Sequence, residues 1–469
     1  MSSRRTFPYS LLAAATVVVA LGGVGCGSGS SGNPDAGNQP TYNFPWDWVG
    51  IVGTGQSLSV GALGTPVQPG GMSQPYNNLK LQLGSSNSAP PFDPTASVLQ
   101  VVPLTEPLRG PPPDYPSAYP RNIDGETPHT AMADQITAMA MAAAAHDYVS
   151  VHTVVGESGQ PMTVIQKNPV NLPAVTGSQS VGRAYDATLF EASALTRLAT
   201  ANGKSYGIGG IVITHGEADA GNGSYANDLY TLLTNYNTDL LAITGQTAAI
   251  PMLVSQQDSV PSDSGSVSVS AVQQWLAGVQ HPGEITCTGP KYQYSYAVDT
   301  AHVHMGPVEY EKLGEKYAQV YFERQVLGHD WQPLQPISVS VNATVITIQF
   351  HVPVPPLQWD TTLPPPHGTM IPEWAMGRGF EVTAASARQM ITDVQIMGGD
   401  TVQITVANDL TGLRVVVGYA AIAEGGTPPT DQTARWGLLK DSDPFVGSVT
   451  NFAQPNWCVA FQVTAPYPS

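Results

Sequence analysis

Residues 47–57 of this 469-residue chain are DWVGIVGTGQS, and the fold class can be inferred from them outward. The apolar run at 47–53 predicts a buried strand, and Gly-Thr-Gly-Gln-Ser follows it at 53–57. Continuously apolar strands are typical of parallel sheets that are covered on both faces. We therefore predict that an α/β domain begins near this stretch, with polar residues placed where its first strand ends.

The segments that follow alternate between strand and helix patterns. Further apolar strands are predicted at 149–155, 207–214 and 250–255. Helices are predicted at 132–147, 183–202, 224–244 and from Pro307 onward. Residues 60–131 are rich in Pro and Gly and are predicted to form long surface loops. Such alternation predicts a parallel sheet with helices on both faces, over residues 45–328.

The pattern changes after Trp331. Short alternating runs such as ISVSVNATVITIQF at 337–350 and TVQITV at 401–406 are separated by turn residues. This spacing is typical of an antiparallel β-sandwich. We predict an all-β C-terminal domain over residues 329–469, in which Trp359 and the other tryptophans either fill the core or stack on sugar rings.

The N-terminus has the features of an export signal. Arg4 and Arg5 precede an apolar run at 11–24 that is too short to span a bilayer. The start fits either a twin-arginine or an ordinary secretory signal. Gly-Val-Gly before Cys26 resembles a bacterial lipobox, and an ordinary cleavage site is the alternative. Residues 1–25 are therefore predicted as the signal, Cys26 as the lipidated residue and 26–44 as a tether. A lipid anchor would place the protein at the outer membrane or cell surface. Without it, the protein would be periplasmic or secreted.

Composition excludes several classes of protein. Only 11% of the residues are charged and the net charge is −17, so the chain would repel the phosphates of nucleic acid. Hydrophobic residues make up 42%, which argues against intrinsic disorder. Outside the signal, Cys287 and Cys458 could form one bridge in an exported protein or remain two separate buried thiols.

Candidate chemistry lies just after the predicted strands. In an open parallel sheet, ligands bind beyond the carboxyl ends of the strands, so these clusters should share one edge. A Ser, a His and a carboxylate meeting there could form a nucleophilic triad. Four clusters follow predicted strands, and a fifth with Asp299, His302 and His304 lies in the loop before the last helix. The four are Gln56-Ser57, Gly156-Glu157-Ser158-Gly159, His215-Gly216-Glu217-Ala218-Asp219 and Gln256-Gln257-Asp258.

The order of these clusters resembles the SGNH/GDSL hydrolase superfamily, and most closely its sialate O-acetylesterase-like carbohydrate esterases. The resemblance covers about residues 47–328 and implies a flavodoxin-like αβα fold. Gly55-Gln56-Ser57 matches the G-Q-S block, which makes Ser57 the nucleophile. His215-Gly216-Glu217-Ala218-Asp219 matches the third block, where His215 replaces the usual Gln.

The last block does not determine whether His302 or His304 is the base. Asp299-Thr300-Ala301-His302 fits D-x-x-H literally, whereas the spacing from His304 to Tyr310 and on to Leu313-Gly314 favours His304. Asp299 is the predicted acid in both cases. The resemblance also implies an oxyanion hole, with Gly156 or Gly159, the Ser57 N–H and the His215 side chain as candidate donors. Gln56, Glu217 and Asp219 are predicted to support these loops.

The predicted activity is removal of O-acetyl groups from carbohydrates, with an acetylated carbohydrate as substrate and no metal or organic cofactor. The preference for carbohydrate comes from the resemblance, since the residues themselves indicate an acyl ester hydrolase. A lipase or thioesterase using the same triad is one alternative, and an inert carbohydrate-binding surface lipoprotein is another. His302 and His304 also have a spacing that suits a metal ion, although no further ligands cluster near them in the sequence.

Overall fold

The computed structural model describes residues 42–82, 92–108, 125–168, 181–368, 370–425, 428 and 431–468. The predicted signal, Cys26 and most of the predicted tether lie outside these residues. Tyr42–Ser469 forms one compact unit. Within the described ranges, no helix has the length and apolar character needed to cross a membrane.

The first part of this unit alternates strands with helices. Its strands are β1 Trp48–Gly55, β2 Leu79–Gln82, β3 Gln100–Pro103, β4 Ser150–Val154, β5 Tyr206–Thr214, β6 Met252–Gln256 and β7 Ile285–Pro290. Its helices are α1 Pro128–Ala144, α2 Met162–Ile165, α3 Arg183–Ala201, α4 Tyr225–Thr244, α5 Val269–Gln280 and α6 Pro307–Tyr321, and a π-helical turn at Phe322–Val326 follows α6.

These strands form one seven-stranded sheet in the order β3-β2-β4-β1-β5-β6-β7. All neighbours are parallel except β2 and β3, which pair antiparallel at one edge. Every residue of β1 is buried, as expected for a strand between two parallel neighbours. Chain order reverses beside β1, since β4 lies on one side and β5 on the other. In open α/β sheets such a reversal is where ligands bind.

Helices cover both faces of the sheet. On one face α3, α4 and α5 contribute Phe190, Leu195, Leu229, Leu233 and Trp275 to the core. On the other face α1 and α6 bury Met132, Ile136, Leu313 and Tyr317 against β1 and β5. The prediction of a mostly parallel sheet covered on both faces is confirmed in this coarse form.

The second part is built of antiparallel strands. They are β8 Gln335–Asn342, β9 Val345–His351, β10 Gln358–Trp359, β11 Phe380–Ala384, β12 Ala387–Arg388, β13 Ile391–Met397, β14 Thr401–Val406, β15 Val415–Tyr419, β16 Leu439–Lys440 and β17 Phe461–Ala465. One four-stranded sheet has the order β12-β11-β15-β17 and another the order β13-β14-β9-β8. The ring of Phe350 in β9 lies against the rings of Phe380 in β11 and Phe461 in β17, so the two sheets share a core.

The two parts share a continuous hydrophobic core. The indole of Trp275 in α5 lies 6.0 Å from the ring of Phe461, and its N–H donates to Gln335 Oε1 at 2.8 Å. Gln256, at the end of β6, donates to the carbonyl of Ala460 and accepts from its N–H, both at 2.8 Å. The boundary at 328/329 remains a prediction.

Several predictions about individual segments were wrong. Residues 79–82 and 100–103 form strands within the segment predicted as loops. They were missed because strands of four residues lack a long apolar run. The 269–290 region, which held no predicted element, contains α5 and β7.

Cys287 and Cys458 are separate buried thiols, and burial raises the pKa of Cys287 to about 12.

Candidate active site

Ser57 stands on a tight turn at the carboxyl end of β1. The strand ends at Gly55, Gln56 follows, and a 3₁₀ turn begins at Ser57. Gly55 has φ +135°, and a Cβ there would clash with the Thr214 carbonyl oxygen. Only glycine fits a backbone that leaves the sheet so close to β5. The turn places Ser57 beyond the sheet beside the reversal in strand order.

A chain of hydrogen bonds joins Ser57 to Asp299 through His304. Nε2 of His304 lies 2.9 Å from Ser57 Oγ, and Nδ1 lies 2.9 Å from Asp299 Oδ2. The Ser57 residue is 6% exposed, while the His304 side chain is 25% exposed. A serine, an imidazole and a carboxylate in this relay can carry out nucleophilic acyl transfer.

Asp299 is held in place by the backbone that follows it. Its Oδ1 accepts from the Ala301 N–H at 2.9 Å, and its Oδ2 accepts from the N–H groups of Val303 and His304 at 3.1 and 3.0 Å. Burial alone would raise its pKa, but these hydrogen bonds and the one from the His304 ring together hold the pKa of Asp299 below its ordinary value. The carboxylate is therefore charged at neutral pH.

His302 lies away from Ser57. Its Nδ1 is 2.7 Å from the Gln432 carbonyl oxygen, a partner in the second part of the chain. The structure thus brings His304, and not His302, to the Ser57 hydroxyl. Over the described residues, no group of three or more His, Cys, Asp or Glu side chains could hold a metal ion.

The two candidate glycines lie in different surroundings. Gly156 is buried after β4, where a Cβ would clash with Ser59 Oγ and lie 2.9 Å from the Gly55 carbonyl oxygen. Its backbone therefore abuts the turn that carries Ser57. Gly159 is exposed in a turn, and no atom lies within 4 Å of the place that a Cβ would take. Of the two, Gly156 is the one next to Ser57.

The prediction of the His215 side chain as an oxyanion donor was wrong. Its Nε2 lies 2.9 Å from the Gln160 carbonyl oxygen, to which it donates, and its Nδ1 lies 2.5 Å from the Tyr225 hydroxyl. Both ring nitrogens are thus engaged, and burial lowers the pKa of His215. The ring connects the loop after β5 to the loop after β4.

Gln56, Glu217 and Asp219 hold neighbouring loops together. Gln56 Oε1 accepts from the Ala218 N–H at 3.2 Å, and Asp219 Oδ2 accepts from the Met162 N–H at 2.7 Å. Glu217 forms a buried ion pair with Lys291 at 2.9 Å. Both carboxylates thus contact groups in neighbouring loops, and their supporting role stays a prediction.

Sequence reasoning missed the buried cations, among them Lys291 and Arg435 near these loops. Lys291, next to the end of β7, pairs with Glu217, and its backbone N–H donates to Asp258 at 2.6 Å. Arg435 reaches from the second part of the chain to the carbonyls of Val260 and Pro261. The sequence signal for such a residue is a single Arg or Lys among apolar neighbours. Its partners cannot be predicted in this way, because they lie far away along the chain.

The chain is similar to solved structures at low sequence identity. A carbohydrate acetylesterase from Xanthomonas citri is similar at a TM-score of 0.52 and 14% identity, over 89% of this chain and 80% of that chain. A protein from Arabidopsis thaliana is similar at 0.41 and 13%, over 60% of this chain and 100% of that chain. No protein-family model and no curated sequence matches the chain. The first likeness is evidence of a shared fold, and the second is too distant to carry an argument.

Proposed function

We propose that this chain is a serine esterase that removes O-acetyl groups from carbohydrates, with Ser57 as nucleophile, His304 as base and Asp299 as the residue that orients the base. One observation carries the proposal, namely the relay in which both His304 nitrogens lie 2.9 Å from their partners. The relay stands beyond the carboxyl end of β1, where strand order reverses.

Acylation starts when Ser57 attacks the acetyl carbonyl carbon. His304 Nε2 takes the hydroxyl proton as the Oγ–C bond forms, and the charged Asp299 stabilises the resulting imidazolium. The tetrahedral intermediate collapses, the bond from the acetyl carbon to the sugar oxygen breaks, and His304 returns the proton to that oxygen. Water then attacks the acetyl-enzyme with His304 as base, which releases acetate and restores Ser57.

The oxyanion requires donors that are already in place. In the part of the chain that the structure describes, the Ser57 N–H has no hydrogen-bond partner, so it is available to the oxyanion. Gly156 is the second proposed donor because its backbone abuts the same turn. Removing one such donor typically costs about 3 kcal/mol of transition-state stabilisation.

The carbohydrate substrate and the finer fold family belong to the proposal as well. The blocks at Gly55-Gln56-Ser57 and His215–Asp219 support an SGNH-type domain at 45–328, followed by a β-sandwich accessory domain at 329–469. The likeness to the Xanthomonas citri acetylesterase supports the fold on which this assignment rests. We further propose that residues 1–25 export the chain and that a lipid on Cys26 tethers it to a membrane, on the sequence pattern alone.

Acetate release by wild type and Ser57→Ala tests the activity. Suitable substrates are acetylated xylan, peracetylated sugars and p-nitrophenyl esters of increasing chain length. Wild type should release acetate and favour short acyl chains, and Ser57→Ala should lose at least about 10⁴-fold in kcat. Ser73→Ala is the matched control, since Ser73 is exposed and its hydroxyl donates to the nearby Gly70 carbonyl.

Each alternative predicts a different result. A strong preference for long-chain esters would indicate a lipase, and a preference for thioesters would indicate a thioesterase. Sugar binding without acetate release by wild type would indicate an inert carbohydrate-binding protein. Full activity in Ser57→Ala would contradict the proposed mechanism.

A further inference from the structure

The loop that carries Asp299 and His304 begins at the buried Tyr296 but is exposed in its middle. We call residues 296–304 the Asp–His loop. Ala297, Val298, Thr300 and Ala301 are exposed, and Val298 is 54% exposed. Nucleophilic catalysis nevertheless requires His304 Nε2 to stay within hydrogen-bond reach of Ser57. Something outside the loop must therefore limit its movement.

Two hydrogen bonds connect this loop to the second part of the chain. His302 Nδ1–H donates to the Gln432 carbonyl at 2.7 Å, and the Tyr296 N–H donates to the Asp431 carbonyl at 3.3 Å. Tyr296 and His302 flank Asp299 on either side. Both acceptors belong to residues 431–435, which we call the clamp segment.

The clamp segment is itself firmly anchored. Thr433 is fully buried and its hydroxyl donates to the Arg435 carbonyl at 2.7 Å. The Arg435 guanidinium, also buried, donates to the carbonyls of Pro261 at 2.6 Å and Val260 at 3.0 Å in the loop after β6. A buried guanidinium with several hydrogen bonds is costly to displace. The clamp segment thus provides fixed carbonyls against which the exposed loop can be held.

His302 adopts a backbone conformation that agrees with this role. Its φ is +54°, in the left-handed region that few non-glycine residues occupy, with Asn, Asp and His more frequent there than the others. The His302 N–H donates to the Asp299 carbonyl at 2.8 Å, which closes the turn. The side-chain bond to Gln432 thus fixes a residue that sits in an unfavourable conformation between Asp299 and His304.

We propose that His302 is a positioning residue: by binding the clamp segment it holds the Asp–His loop so that His304 stays aligned with Ser57. The inference rests on the proposed function, because it concerns the same relay. It also assigns a role to the second part of the chain, which supplies the fixed carbonyls. The His302 side chain bonds to Gln432 and not to Ser57, so in this proposal it acts through His304 and is not itself a catalytic residue.

Three substitutions distinguish the effect of losing the hydrogen bond from the effect of straining the backbone. His302→Asn tolerates the left-handed backbone and places an N–H donor where Nδ1 stood. His302→Gly tolerates the backbone but has no donor, and His302→Ala provides neither. His329→Ala is the matched control, since that histidine lies on the surface after the turn that follows α6.

We expect kcat to fall when the N–H donor at position 302 is lost. Stability should fall when the new residue does not tolerate the left-handed backbone. His302→Asn should keep most of the wild-type kcat. His302→Gly and His302→Ala should lose about 10- to 100-fold in kcat with KM unchanged, as expected when a reacting group is misaligned by about an ångström. The rate at which a fluorophosphonate labels Ser57 should fall by the same factor. The melting temperature should be lowered most in His302→Ala.

The outcomes distinguish this inference from the proposed function. If Ser57→Ala is inactive while His302→Gly and His302→Ala keep the wild-type kcat, the positioning role of His302 is contradicted. The proposed esterase function is then still supported. Equal kcat values for His302→Gly and His302→Asn would also overturn the positioning role, because the hydrogen-bond donor would then have no effect on kcat. If His302→Asn loses as much as Ser57→Ala, His302 is the base itself. If wild type hydrolyses no ester, the proposed function fails first.

Discussion

At the scale of single residues, the Asp–His loop shows how two candidate bases are separated. Asp299, His302 and His304 lie within six residues, and both imidazoles fit a plausible spacing. The Asp299 carboxylate accepts from the N–H groups of Ala301, Val303 and His304, and this tight turn directs His304 toward Ser57. The distinction depends on local hydrogen bonds in an irregular loop, which no helix or strand periodicity can predict.

Another residue-scale feature is a pair of buried carboxyl groups, Glu106 and Glu126. Glu106 Oε1 accepts from the N–H and hydroxyl of Thr127 and from the Thr130 hydroxyl. Glu126 accepts from the Gln68 N–H through Oε2. Burial, and then the negative charge of Glu106, raises the pKa of Glu126 to about 9. Glu126 therefore keeps its proton in the folded protein at neutral pH.

We predict that Glu126→Gln makes stability less dependent on pH. The unfolded chain loses the Glu126 proton near its ordinary pKa of about 4.5, whereas the folded chain keeps it until about pH 9. The folded state then binds more protons, so the free energy of unfolding of wild type falls as pH rises across this window. Relative to wild type, Glu126→Gln should gain up to about 1.4 kcal/mol per pH unit there.

Urea unfolding at several pH values between about 5 and 9 measures this difference. Asp263→Asn is the control, since Asp263 is exposed and its replacement should leave the pH dependence as in wild type. A constant difference between Glu126→Gln and wild type at every pH would contradict the assigned protonation of Glu126.

At the scale of elements, the end of β1 determines where the nucleophile stands. The strand is buried along its whole length between β4 and β5, so its last residue has almost no freedom. Gly55 leaves the sheet against the Thr214 carbonyl, and Gln56 and Ser57 follow outside it. The apolar run and the glycine both appear in the sequence, which explains why the position of Ser57 could be predicted.

We predict that Gly55→Ala destabilises the fold by about 2–4 kcal/mol, because an unfavourable backbone angle and a clash with backbone act together. Gly203→Ala is the matched control: Gly203 also has positive φ, but nothing lies within 4 Å of its Cβ position. It should lose only about 1–2 kcal/mol. Urea unfolding compares the two, and equal losses would show that the contact with Thr214 does not matter.

At the scale of the whole molecule, the two parts of the chain support each other. Glu315 in α6 accepts from the N–H groups of Val449 and Thr450 at 2.7 and 2.8 Å. The Tyr292 hydroxyl donates to the Cys458 carbonyl at 2.6 Å. With the shared core at Trp275 and Phe461, these contacts bury polar and apolar surface that either part alone would expose.

We therefore predict that Tyr42–Ser469 unfolds in one cooperative transition. Tryptophan fluorescence, which reports mainly on the second part, and far-ultraviolet circular dichroism, which also reports on the helices, should give the same midpoint in urea. A chain ending at residue 328 should show no cooperative transition. Two separate midpoints in the full chain would contradict this prediction and would favour independent domains divided near 328/329.

Local sequence patterns were enough to predict the alternation of strands and helices, the change to antiparallel strands after Trp331 and the polar clusters at the strand ends, because burial periodicity and turn chemistry are local properties. The choice between His302 and His304, the engagement of both His215 nitrogens, and the partners of Lys291 and Arg435 became known only from the folded arrangement. The first depends on hydrogen bonds within an irregular loop, and the others depend on contacts between residues of different elements. The strand order brings such residues together, and a single sequence carries no record of those distances.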